Sequence, residues 1–144
     1  MESEIIPAIL VKRKEDLLER IERVKGKVSS VHIDVMDNEF VPNKTVGPDD
    51  FFNLPTGVKY EFHWMVRKPE NWIRKVPGNH LHVVHIEAAD DWEAIKSACR
   101  QAGGKLGIAI SESCVADILR RNGLPPSPER GCLTWREFLC RHTD

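Results

Sequence analysis

Short apolar runs and amphipathic stretches alternate five times along this chain, and that rhythm restricts the fold more than any single motif does. Residues 5–10, 31–36, 58–65, 81–86 and 105–110 are rich in apolar side chains and read as buried strands. Pro7 places the first of them near a sheet start or a bulge. Residues 13–24 carry Leu17, Leu18, Ile21 and Val24 at helical spacing with charge on the other face, and Gly26 follows as a stop. A short helix is expected near residues 49–53, and another opens at Lys68-Pro69-Glu70. Asp90 or Asp91 caps a helix that runs to about residue 101 before Gly103-Gly104, and Ser113 caps one that runs to about residue 121. This alternation predicts an α/β fold with a parallel sheet and crossover helices.

The alternation stops after Arg121. Gly123, Pro125, Pro126 and Pro128 give a linker composition, and residues 134–142 suit one last helix with Trp135, Phe138 and Leu139 on a face. The expected organisation is a β/α unit over residues 1–121, then a Pro-rich linker and short C-terminal helix over 122–144.

A chain of 144 residues has room for one ordinary core. Its 21 Lys and Arg against 22 Asp and Glu argue against a broad polyanion-binding surface, so no nucleic-acid partner is expected. No apolar run nears the roughly 20 residues of a membrane span. The acidic start Met1-Glu2-Ser3-Glu4 is unlike a secretory signal. A cytoplasmic protein with no membrane partner is the expectation. Cys99, Cys114, Cys132 and Cys140 form no C-x-x-C pair, which predicts free thiols; Cys132, Cys140 and His142 match no recognised metal-ligand spacing.

The informative stretch is His32-Ile33-Asp34-Val35-Met36-Asp37. Alternate strand residues share a face, so His32, Asp34 and Met36 point one way and Ile33 and Val35 the other. The third strand repeats this with His63 and Met65, and the fourth with His85 and Glu87. His80 and His82 have the opposite parity and are expected at the surface or facing a helix. Taken singly, a His or Asp at a strand end is an ordinary hydrogen-bonded residue, and Met36 and Met65 are ordinary core. His32, Asp34 and His63 on consecutive strands together point to a metal or catalytic cluster, at the strand ends where parallel barrels carry their sites.

The order of motifs resembles one family. His32-Ile-Asp-Val-Met-Asp37, followed by Phe40-Val-Pro-Asn43 and Gly47-Pro48, is similar to the signature of ribulose-phosphate 3-epimerases. Phe62-His63-Trp-Met65 resembles that family's His-Leu-Met element, His85-Ile-Glu-Ala88 its His-x-Glu-Ala strand, and Pro7-Ala8-Ile9-Leu10 its Pro-Ser-Ile-Leu first strand. The resemblance runs from about residue 5 to about residue 119.

What it implies is a (β/α)8 TIM barrel that interconverts D-ribulose 5-phosphate and D-xylulose 5-phosphate through an enediolate, so the implied partner is a phosphorylated pentulose. The family binds one divalent metal ion through two His and two Asp. By motif, His32, Asp34 and His63 match three of those ligands, and the donor set suits Zn, Fe(II), Mn or Co. Asp34 also matches one of the two acid/base carboxylates. His63, Met36 and Met65 match substrate-binding positions, the methionines beside the reacting carbons.

The departures are as informative. Ala8 replaces a Ser, Asn38 a Gly and Trp64 a Leu of the family pattern; Trp64 is expected to face away from the site. The family's second catalytic Asp lies in a later Asp-Gly-Gly context, and its phosphate grip in glycine-rich loops beyond that. Neither motif occurs in these residues, where Glu87 and Asp37 are the spare carboxylates. An incomplete barrel of about five β-α units with an unrelated C-terminal tail is therefore expected. Its first and fifth strands would lack partners, an opening that a homo-oligomer would cover. Two other readings stand beside the enzyme: a catalytically incomplete metal-binding remnant or interaction module, from a truncated or frameshifted gene, and a related phosphosugar epimerase.

Overall fold

Val31, Ile33 and Val35 are fully buried while the residues between them are only partly covered, so the second strand has one packed face and one open face. A computed structural model describes residues 4–123, with five strands of which the second to fourth share this division. They are β1 (Ala8–Ile9), β2 (Ser30–Met36), β3 (Lys59–Met65), β4 (Leu81–His85) and β5 (Lys105–Ala109). All neighbours pair in parallel in the order β1-β2-β3-β4-β5, so each crossover returns to the next position. The described residues divide into one compact unit that ends at Ala109 and contains this sheet, and a second that begins at Ile110.

In the first unit, helices α1 (Lys14–Val24), α2 (Pro69–Ile73) and α3 (Trp92–Ala102) connect the strands. Leu17 and Ile21 of α1, Ile73 of α2 and Ile95 and Ala98 of α3 share one cluster with Val31, Ile33, Phe62, Trp64 and Val84 of the sheet. Each large aliphatic or aromatic side chain buried there contributes about 1.5–3 kcal/mol. The opposite face has no such cover. Along β3 and β4, Glu61, His63, Met65, Val83 and His85 are all half-exposed.

The expected helix caps hold for α3. Asp91 accepts from the backbone N–H of Ala94 at 3.0 Å, and Gly103, with φ 79°, ends the helix in the left-handed conformation. Other expectations need correction. Residues 5–10 pair only at Ala8–Ile9, and Ile5 is 79% exposed. The helix expected near 49–53 is a single 3-10 turn, Pro48–Asp50. β4 stops at His85, so Glu87 belongs to a 3-10 turn, Ile86–Ala88, and not to a strand. Of the two places open to His82, the surface or a helix-facing position, the second holds: it is fully buried on the helix side.

In the second unit, α4 (Glu112–Arg121) starts two residues earlier than expected, and Ser111 Oγ, not Ser113, accepts from the Cys114 N–H at 3.2 Å. The linker and the helix expected over 134–142 lie outside the described residues, as do Cys132, Cys140 and His142. Cys99 and Cys114 are free thiols, and burial raises the Cys99 pKa. Among the described residues no helix is long and apolar enough to cross a membrane.

Candidate metal centre at the strand ends

Cross-strand register builds the site. β2 and β3 pair rung by rung, with His32 beside Glu61, Asp34 beside His63, and Met36 beside Met65. Adjacent strands lie about 4.8 Å apart, so side chains on one rung and one face touch. His63 Nδ1 lies 3.0 Å from Asp34 Oδ1, and His32 Nε2 lies 3.6 Å from the same oxygen. One ligand atom from each of His32, Asp34 and His63 falls within 4.8 Å of the others.

Two donors each about 2.1 Å from one ion, at angles between octahedral and tetrahedral, stand about 3.0–3.4 Å apart. The 3.0 Å spacing falls in that range and the 3.6 Å spacing lies slightly above it. Two imidazoles and a carboxylate form a mixed donor set that accepts several divalent transition metals.

Two residues extend the cluster. Glu61 Oε2 is 3.1 Å from His32 Nδ1, and His85 Nε2 is 2.8 Å from His63 Nε2. The His63 and His85 rings are nearly parallel, with centroids 4.8 Å apart. Burial lowers the His85 pKa, and the neighbouring His63 adds to this, against an opposing pull from Glu87, whose Oε2 lies 3.7 Å from His85 Nδ1. Glu61 went unnoticed in the sequence although it shares parity with His63.

The loop after β2 is held from within. Thr45, itself buried, accepts from the Met36 N–H at 2.9 Å and donates to the Asp34 carbonyl at 2.8 Å, which fixes the end of β2. Asp37 Oδ1 accepts from the backbone N–H groups of Glu39 and Phe40, and Oδ2 from that of Arg67. Burial would raise the Asp37 pKa, but these backbone donors outweigh it and hold the carboxyl below its ordinary value. Asp37 is thus committed to joining the β2 and β3 loops. Asn38 follows at φ 66°, so the left-handed turn survives the exchange of Gly for Asn.

The remaining expected residues are placed as follows. Met36 and Met65 end their strands on the half-exposed face, and Asn43 Nδ2 approaches Met36 Sδ at 3.5 Å. Ala8 pairs with His32 on the neighbouring strand. Trp64 is fully buried on the opposite face.

A parallel β/α sheet that gathers imidazoles and a carboxylate toward its C-terminal strand ends, on the face away from its helices, has the architecture of a partial (β/α) barrel, a fold class that carries its sites at those ends. Residues 4–121 match the ribulose-phosphate 3 epimerase family, and the chain belongs to it. Similar relatives carry the name ribulose-phosphate 3-epimerase. That of Chlamydia pneumoniae is 34% identical over 95 residues, 62% of this chain and 41% of the relative. That of Chlamydia muridarum is 38% identical over 85 residues, 56% of this chain and 37% of the relative. That of Mycobacterium tuberculosis (strain H37Rv) is 32% identical over 110 residues, 74% of this chain and 48% of the relative. The chain spans about half the length, or less, of these relatives.

Proposed function

We propose that this chain carries the metal-binding part of a ribulose-phosphate 3-epimerase site, with D-ribulose 5-phosphate and D-xylulose 5-phosphate as the substrate pair, interconverted through an enediolate in a cytoplasmic setting. The observation that carries this reading is the convergence of His32, Asp34 and His63. A divalent ion held by them would stabilise the negative charge that develops on the substrate oxygens when the proton next to the ketone leaves. Asp34, at the centre of the cluster, takes that proton as general base. Its carboxylate already faces His63 Nδ1. Met36 and Met65, side by side on one rung, give the reacting carbons an apolar flank.

The test is a coupled epimerase assay on the purified chain, with metal content measured on the same sample. Turnover that vanishes in Asp34→Asn supports the enzyme. Bound metal without turnover favours the second reading, a metal-binding module, to which the partial coverage of the relatives lends weight. Absence of metal in the wild-type chain refutes both.

The open sheet is the basis for a further part of the proposal, a homo-oligomer. β1 and β5 each pair on one side only among the described residues, and Ile108 of β5 is 58% exposed. Sedimentation equilibrium is expected to show association that Ile108→Lys weakens; a monomer at all concentrations refutes it.

A further inference from the structure

The two histidines of the cluster turn opposite ring nitrogens toward Asp34. His32 offers Nε2, at 3.6 Å from Asp34 Oδ1, and His63 offers Nδ1, at 3.0 Å. The outward nitrogen of each ring has its own neighbour, Glu61 Oε2 at 3.1 Å for His32 Nδ1 and His85 Nε2 at 2.8 Å for His63 Nε2. A neutral imidazole carries one N–H and one lone pair, so a partner on one nitrogen decides what the other can do. An ionised carboxylate only accepts. Glu61 therefore draws the His32 proton to Nδ1 and leaves Nε2 free to bind a cation.

We propose that Glu61 and His85 are positioning residues that fix which nitrogen each histidine presents to the metal, Nε2 from His32 and Nδ1 from His63. The inference rests on the metal reading of His32, Asp34 and His63.

On the His63 side the partner is itself an imidazole, so the proton can be exchanged without net gain or loss. Without metal, His63 Nδ1–H donates to Asp34 and His85 Nε2–H donates to His63. With metal on Nδ1, His63 carries its proton on Nε2 and donates it to His85 Nε2. His85 then carries its own proton on Nδ1, toward Glu87 Oε2 at 3.7 Å. The pair holds two protons in both states, and neither state leaves a ring nitrogen facing another with two protons or two lone pairs between them. Partners of this kind set the tautomer and orientation of a ligand, and their loss typically weakens metal binding about 10–100-fold.

The experiment uses Zn(II) and the full chain labelled with 15N-histidine. Long-range proton–nitrogen spectra of the Zn(II)-loaded protein are expected to show His32 bound through Nε2 and His63 through Nδ1. Competition against a chromophoric chelator is expected to show Glu61→Ala and His85→Ala each weakening Zn(II) about 10–100-fold. Glu61→Gln and His85→Gln, which keep an acceptor, are expected to recover most of that loss. Zn(II) bound through the same nitrogen of both rings overturns the inference and leaves the metal site standing. So does unchanged affinity in both alanine variants. Failure of the wild-type chain to bind Zn(II), with histidine spectra that do not move, overturns the metal reading and this inference with it. The spectra of the wild-type chain decide the matter even if a variant does not fold.

Discussion

The indole N–H of Trp64 donates to Nδ1 of His82 at 3.1 Å, with both side chains fully buried on the helix side of the sheet. Because Nδ1 accepts, the imidazole proton sits on Nε2, and Nε2 has no hydrogen-bond partner among the described residues. Phe at position 64 would keep most of the ring but orphan the second nitrogen as well. Trp64→Phe is therefore expected to destabilise the chain by about 1–3 kcal/mol in urea unfolding. Zn(II) affinity, which the proposed site would set on the other face, is expected to stay unchanged.

His82 also gives stability a pH dependence. Burial, with a smaller push from His80, lowers its pKa from 6.5 to about 4. The folded pKa is below the unfolded one, so as pH falls the unfolded chain takes up the proton first. Stability from a neutral His82 is complete above about pH 6.5 and is lost as pH drops toward 4, by about 3 kcal/mol in all. Urea unfolding at pH 7, 5.5 and 4.5 measures the slope. In His82→Phe the part of the slope between pH 6.5 and 4 is expected to flatten; an unchanged slope would assign it to other groups, among them His80 and His85, whose pKa values burial also lowers.

Gly104 is the floor beneath that ring. A Cβ there would come within 2.6 Å of His82 Cδ2, 2.7 Å of its Nε2 and 2.9 Å of the His80 carbonyl oxygen. Backbone cannot yield as a flexible side chain does, so Gly104→Ala is expected to lose about 1–3 kcal/mol by overpacking. Combining it with His82→Ala should cost less than the sum of the two single changes, because the double variant removes the clash with the ring.

Asp37 makes a different kind of prediction. Its carboxylate is the common acceptor for the amides of Glu39, Phe40 and Arg67. Asp37→Ala is expected to speed hydrogen exchange at Phe40 and Arg67 while the amides of Ile33 and Val35 keep their protection. Retained protection at Phe40 and Arg67 would show that the loops hold their shape without it.

How much of this was legible beforehand depends on whether a feature is local. Parity along a strand is local, and it sorted His32, Asp34 and His63 onto one face and Val31, Ile33 and Val35 onto the other. Trp64 followed the same rule. The extent of β1 is not local: Ile5 and Ile6 are as apolar as any strand residue but, among the described residues, have no strand beside them to pair with. Glu61 was missed for a related reason. Alone it is a charge in a strand, and only the register that sets it beside His32 gives it a partner. Parity alone left His82 between the surface and a helix-facing place, and only the Trp64 indole brought against it decides for burial.

The division of the sheet into a packed face and a face that carries His32, Asp34 and His63 has a consequence for how the gene can change. Substitutions in β2 act on one face at a time, so Val35 can drift without touching Asp34, and Asp34 without touching Val35. A one-residue deletion inside β2 has no such latitude. It would transpose the whole alternation beyond it, driving a carboxylate into the apolar layer and a valine toward the histidines of the open face. Length polymorphism in this chain should therefore collect in its loops, while β2 admits point changes and rejects every frame-preserving insertion or loss of a single codon.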